Sequence, residues 1–266
     1  MLEKQVILSL DNINVEASLN GKNIRILKNI SFKVFRGDIV GIIGESGSGK
    51  TLTALSIMGM LRKNIKITSG TITFMGDKLI GNDYIKKIKI CASMKKDISM
   101  IFQESWSSLS PIYKIYSQMK DIIGLHNNIN KSELHNKCNK LLYEVGFNNP
   151  EQIGNKYPFE LSGGMLQRVI LAIAISMDPK ILIADEPTAS LNLSAQRENI
   201  ILLKRFQKKL NNSIIIITHD FSILKSICNY VIVIKDGEIL EKNAVENILH
   251  NPKHDYTKQL VISQSR

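Results

Sequence analysis

The run Gly44-Glu45-Ser46-Gly47-Ser48-Gly49-Lys50-Thr51 constrains this chain more than any other eight residues. It fits G-x-x-x-x-G-K-[ST] at every fixed position, and the pattern has a mechanism. Gly44, Gly47 and Gly49 let the backbone fold around a phosphate with its N–H groups pointing inward. Lys50 can reach the β- and γ-phosphates, and the Thr51 hydroxyl can ligate Mg²⁺. The flanks agree. Residues 38–43 read as a short buried strand, and residues 52–61 as a helix with apolar Leu52, Leu55, Met58 and Met60. Strand, loop and helix N-terminus together make an anion site. A chance glycine-rich turn would lack those flanks. Nucleotide binding follows from this site alone; the use of the nucleotide does not.

The 266 residues suit one large domain or two small ones. The chain is 44% hydrophobic, ample for a packed core, and 22% charged. No apolar run approaches the roughly 18 residues that span a bilayer. The first residues start a strand-like segment without the pattern of a signal peptide. Any membrane role is therefore expected to be peripheral. The net charge of +11 suits partners such as ATP, anionic lipid or nucleic acid. The basic residues are scattered, however, and no Arg-rich patch interleaves with aromatics, which argues against nucleic acid. Cys91, Cys138 and Cys228 lie far apart and make no metal-spaced pair. They read as buried apolar residues in a reducing compartment.

The first part of the chain looks like antiparallel sheet. Residues 30–35 alternate and run into the turn Arg36-Gly37-Asp38; residues 69–77 also alternate between turn residues. Between about 105 and 177 the pattern becomes helical, with Leu134, Cys138, Leu141, Leu142 and Val145 at helical spacing. Continuous apolar strands then return at 181–184, 214–217 and 231–234, separated by helical stretches such as 194–210. That alternation predicts a buried parallel sheet.

More chemistry sits at the ends of these elements. The strand 181–184 empties into Asp185 and Glu186, which places Asp185 near a Mg²⁺ shell and offers Glu186 as acceptor of a proton from attacking water. Alone, Glu186 would equally suit a solvated surface acid. Ser162-Gly163-Gly164 opens an apolar helix. A plain N-cap explains Ser162. It does not explain two adjacent glycines, which are costly there unless a backbone must come close. Gln103 ends the strand-like run 99–102 and His219 follows 214–218. A lone Gln or His at a strand end is usually structural. Here the order decides: positions 50, 103, 162, 185 and 219 all lie where an open α/β sheet holds ligands.

That order resembles the ATP-binding-cassette ATPases over nearly the whole chain. The resemblance implies an α/β fold: a P-loop NTPase core of RecA-like type, an antiparallel β subdomain and an inserted α-helical subdomain. Residues 1–104 and 178–240 would form the core with its β subdomain, 105–177 the helical subdomain, and 241–266 a C-terminal segment. Carried over, residues 44–51 look like Walker A and Gln103 like the Q-loop. Leu161-Ser162-Gly163-Gly164-Met165 looks like the signature, the most specific element. Asp185 looks like Walker B, Glu186 the catalytic carboxylate and His219 the switch histidine. ATP is then the substrate. Mg²⁺ would be held by Thr51, Gln103 and Asp185, with Ser162, Gly163 and Gly164 facing a partner's nucleotide.

Shorter runs are similar to oligopeptide, dipeptide and nickel importers: Ser107-Ser108-Leu109-Ser110-Pro111, and the C-terminal Asn251-Pro252-Lys253-His254-Asp255-Tyr256-Thr257. The run 156–168, with Met165 where Gln is usual, looks most like the nickel branch. The resemblance implies a peripheral subunit at the cytoplasmic face of the membrane. It would pair with a second, different ATPase and dock on two transmembrane permeases near residues 103–111. An extracytoplasmic substrate-binding protein would act indirectly, and no nucleic acid is expected. Nickel uptake is the expectation, with peptide uptake and a weakly hydrolysing regulatory subunit as alternatives. Two departures from the family stand out. Asn192 occupies the usual Asp position of the D-loop, Ser190-Leu191-Asn192. No aromatic lies in 11–31 to stack on adenine, leaving Leu19 or Ile24 for that contact.

Overall fold

The computed structural model describes residues 4–19, 21–80, 94–103, 108–125, 130–189 and 191–264. Cys91, Ser107 and Ser190 lie outside the described residues. The chain divides into two compact units, Met1–Lys95 with Asn211–Arg266, and Lys96–Leu210.

The first unit opens on β1 (Val6–Leu19) and β2 (Lys22–Phe35), an antiparallel pair of 14 residues each. β4 (Ile65–Phe74) pairs with the other edge of β1, and β5 (Asp77–Ile80) with β4. The order is β2-β1-β4-β5. One face buries Leu8, Leu10, Ile13, Leu27, Ile30, Ile72 and Phe74. The long pair is bent by register shifts near Asn12 and Asn29, both at positive φ (51° and 52°). Asn14 ties the irregularity together. Its amide donates to the Asn12 carbonyl (2.9 Å), Asn29 Oδ1 (3.0 Å) and Ser69 Oγ (2.8 Å), and its Oδ1 accepts the Asn29 N–H (3.1 Å).

The unit's second sheet region holds β3 (Ile39–Ile43), β8 (Ser213–Thr218) and β9 (Tyr230–Lys235), mutually parallel, with β10 (Glu238–Ala244) antiparallel on β9. All residues of β3 and β8 are buried. Such strands need cover on both faces, which is why they read as unbroken apolar runs. α8 (Phe221–Ile227) lies so close that a side chain at Gly41 would meet Leu224 Cδ2 at 2.4 Å. α1 (Lys50–Met58) follows β3. It is shorter than the apolar spacing over 52–61 predicts, because Gly59 adopts φ 64° and closes the helix. α9 (Val245–His250) and α10 (Asp255–Gln264) end the unit.

The second unit carries β6 (Ile98–Ile101), after the single turn α2 (Met94–Asp97), and β7 (Ile181–Asp185), paired in parallel. With them go α3 (Ile115–Gly124), α4 (Lys131–Glu144), α5 (Pro150–Gly154), α6 (Gly163–Ile175) and α7 (Leu193–Leu210). α4 begins at a capping box, Asn130 with Glu133, which satisfies two N-terminal donors reciprocally. α6 is apolar on most of its circumference and buries Leu166, Val169, Ile170, Leu171 and Ile175. That profile belongs to a core helix rather than a surface one. Cys138 and Cys228 are buried, as their spacing suggested. Burial pushes the Cys138 thiol up to about 11, against the opposing pull of Lys120 and Lys137.

Candidate functional site

In the first unit the phosphate-type loop runs from the end of β3 to the first turn of α1. Gly49 has φ 106°, a conformation L side chains rarely adopt, and is the cap residue of α1. At Gly44 the constraint is space, since a Cβ would come within 2.0 Å of the Ile234 carbonyl oxygen on β9. Lys50 is only 8% exposed. Its ammonium donates to the carbonyls of Gly44 and Glu45, both at 2.8 Å. Ser48 donates its N–H to the Glu45 carbonyl (3.2 Å), and its own carbonyl accepts the Gly237 N–H (3.0 Å). Ser48 Oγ is buried without a hydrogen-bond partner. A buried cation and a buried unsatisfied hydroxyl on a glycine-rich turn are the donors a polyphosphate takes.

β8 brings His219 to the same edge. Ile43 and Thr218 are opposite one another in parallel strands, so Gly44 and His219 leave neighbouring strand ends together. The His219 side chain is exposed. The next residue, Asp220, is pinned: its side chain accepts the Ser222 N–H at 2.7 Å and caps α8.

In the second unit, Ile101 lies opposite Ala184. Gln103, Asp185 and Glu186 therefore leave the same edge of the β6–β7 pair. Asp185 is 2% exposed. Glu186 sits at φ 48°. A non-glycine residue in the left-handed region costs about 1–3 kcal/mol, and such residues cluster at functional sites.

The Ser162-Gly163-Gly164 run starts α6. Ser162 Oγ accepts the Met165 N–H at 3.3 Å, an N-cap. A side chain at Gly164 would meet Ala195 Cβ at 3.0 Å, so this glycine lets α6 and α7 start close together. At Gly163 the nearest neighbour of a Cβ would be Leu191 Cδ2, at an ordinary 3.6 Å. Packing thus accounts for the second glycine and not for the first. The run lines a cavity of about 310 Å³ with Leu191, Asn192 and Ser194. Asn192 Oδ1 accepts the Ala195 N–H (2.9 Å) and caps α7, the local task an Asp would perform without its charge. Leu19 and Ile24, the apolar candidates for adenine, are half exposed near the far end of the β1–β2 pair.

The structure adds a residue that sequence reasoning left without a role. The Tyr256 hydroxyl accepts the Glu45 N–H at 3.1 Å, across 211 positions.

The ABC transporter family matches residues 27–189. The chain belongs to that family. Oligopeptide transport ATP-binding protein OppD of Lactococcus lactis subsp. cremoris (strain SK11) is 36% identical over 262 residues, 98% of this chain and 77% of OppD. AppD of Bacillus subtilis (strain 168), also an oligopeptide transport ATP-binding protein, is 38% identical over 97% of this chain and 78% of its own length. The dimeric ATP-binding cassette MJ0796, seen in a post-hydrolysis state with ADP and Pi, superimposes with a TM-score of 0.76. It is 26% identical over 90% of this chain and 99% of that one. The fold is accordingly an ABC ATPase fold with a P-loop NTPase core, and this cassette is an ATPase subunit of an ABC importer. Among the described residues no helix is long and apolar enough to cross a membrane.

Proposed function

We propose that this cassette powers the import of oligopeptides or dipeptides through separate permease subunits. The carrying observation is the 36–38% identity to two oligopeptide transport ATP-binding proteins along almost the whole chain. The nickel reading drawn from Met165 yields to it, because that resemblance rests on one short run. The similarity of Asn251-Pro252-Lys253-His254-Asp255-Tyr256-Thr257 to peptide importers is consistent with either branch.

The proposed reaction is in-line attack of water on the γ-phosphorus of ATP. Glu186 takes the water's proton as the oxygen–phosphorus bond forms, and the bond to the bridging oxygen breaks to release ADP. Lys50, N–H groups of the loop 44–51 other than those of Glu45 and Ser48, and His219 stabilise the charge that accumulates on the γ-phosphoryl oxygens. Thr51, Gln103 and Asp185 present a hydroxyl, an amide and a carboxylate oxygen, the hard donors that suit Mg²⁺. That ion would supply charge neutralisation on the phosphates.

Ser162, Gly163 and Gly164 are proposed to complete the nucleotide site of a second cassette, and that cassette's signature to complete this one. The partner would be a different ATPase. Asn192 suits an asymmetric pair, since it caps α7 without bringing a carboxylate to the interface. The pair would sit at the cytoplasmic face on two permeases, with a substrate-binding protein acting from the other side. Two expectations follow. The isolated chain should hydrolyse ATP weakly, with a rate per mole that rises when the partner cassette is added. A full rate that is independent of protein concentration and of any partner would contradict the shared-site reading. Cells lacking the gene should lose uptake of labelled di- and oligopeptides, keep submicromolar Ni²⁺ uptake, and recover on complementation. Intact peptide uptake with lost nickel uptake would return the assignment to nickel.

A further inference from the structure

The C-terminal segment reaches back onto the phosphate loop through a chain of short contacts, all within the first unit. Glu241 on β10 receives the backbone N–H of Lys253 (3.0 and 3.2 Å to its two oxygens) and of His254 (3.1 Å). Burial would raise that carboxyl, but those two N–H groups hold it below its ordinary value. His254 Nδ1 then accepts the Tyr256 N–H at 3.1 Å. The Tyr256 ring is 6% exposed, and Lys235 Nζ stands 4.5 Å above its centroid. The ammonium lies over one face of the buried ring, and the ring's hydroxyl accepts the Glu45 N–H at 3.1 Å. The Glu45 carbonyl in turn is one of the two that hold the Lys50 ammonium.

We propose that Tyr256 is a positioning residue for ATP binding: its hydroxyl holds Glu45, and so keeps the loop and the Lys50 ammonium in the phosphate-receiving conformation. This rests on the reading of residues 44–51 as the ATP site and assigns a part in it to the C-terminal segment. The physical reason is order. A loop with glycines at 44, 47 and 49 has many conformations to lose on binding. Apparent affinity falls in proportion to the fraction of molecules already in the competent one. A hydrogen bond from a rigid aromatic residue raises that fraction without touching the ligand. The turn at Gly237, whose N–H reaches the Ser48 carbonyl, supports the other half of the loop.

The test is Tyr256→Phe in the full chain and in the assembled transporter. Phenylalanine keeps the ring, its packing and its contact with Lys235, and removes only the hydroxyl. The Kd for ATP and for ADP should rise about two- to tenfold, the range for losing one neutral hydrogen bond. In the transporter KM for ATP should rise with it while kcat at saturating ATP stays at the wild-type level. The thermal midpoint without nucleotide should fall only by the small amount that one lost hydrogen bond implies, and a Kd shift beside so small a change separates positioning from general support. Glu241→Ala should act in the same direction from outside the loop. The double variant should bind about as well as the weaker single one, because both act through one tether. Wild-type Kd and KM in a folded Tyr256→Phe chain would overturn the proposal. So would a lowered thermal midpoint with unchanged Kd, or a loss of kcat without a change in KM. If the wild-type chain bound no ATP, the loop assignment itself would fall, and that outcome is read before any variant is made.

Discussion

Glu186→Gln should keep ATP binding near the wild-type level and lower turnover in the assembled transporter by at least about a hundredfold, the low end for removing a general base. The substitution preserves size and hydrogen-bonding capacity and removes the ability to take a proton. Position supports the assignment. Glu186 directly follows β7, whose five residues are all buried, so its backbone is anchored on one side by the core. On the other side the chain turns back at once, with the Ala189 N–H on the Glu186 carbonyl at 3.3 Å. The φ of 48° means the fold holds this side chain in a conformation that Gly or Asn would adopt more easily. With a competent partner the variant should also accumulate as an ATP-bound dimer. The comparison is between kcat and Kd: an unchanged kcat removes Glu186 from the chemistry, and a lost Kd makes it a binding residue instead.

Much of this site was legible because its chemistry is local. A loop that must wrap a phosphate needs its glycines and its lysine within eight residues, so residues 44–51 announce themselves. Asp185 and Glu186 were visible because a buried strand stays apolar up to the residue where it leaves the core. The candidate signature stood out as two glycines where helix formers are expected. The structure refines that, since Gly164 is needed for the approach of Ala195 and Gly163 is not. Other features were hidden for equally physical reasons. The first pair of strands runs to Leu19 and Lys22, but the shifts around Asn12 and Asn29 change which face each residue points to. A period-2 reading therefore loses the strand half-way. The stop of α1 at Gly59 was masked by apolar residues continuing at Met60 and Leu61. The tether from Tyr256 to Glu45 joins positions 211 apart, and periodicity carries no information at that range. Its only sequence signal was the short C-terminal run shared with peptide importers, which named the residue without a role.

Lys50→Ala should remove most of the ATP affinity, and the geometry gives two separate reasons. The first is the lost cation. A hydrogen bond to a charged group is worth about 1.5–3 kcal/mol, and 1.4 kcal/mol is about tenfold in Kd, so each lost phosphate contact weakens binding between roughly ten- and a hundredfold. The second is the loop itself. In this structure the ammonium bridges the carbonyls of Gly44 and Glu45 at 2.8 Å each, pulling together the first two residues of the turn. Without it those carbonyls lose a shared donor, and Glu45 is left with the Ser48 N–H on its carbonyl and the Tyr256 hydroxyl on its N–H. Lys50→Arg should fail to rescue, because a planar fork cannot replace a compact ammonium that points at two carbonyls and a phosphate at once. Calorimetric titration is the direct measurement. Thermal unfolding is a second: ATP at a hundred times Kd stabilises a folded cassette by about 2.7 kcal/mol, and the variant should gain almost none of it. Wild-type affinity in a folded Lys50→Ala chain would sink the assignment of residues 44–51. Loss of affinity in Lys50→Ala with only a two- to tenfold change in Tyr256→Phe would order the two residues as expected, with lysine on the phosphate and tyrosine behind it.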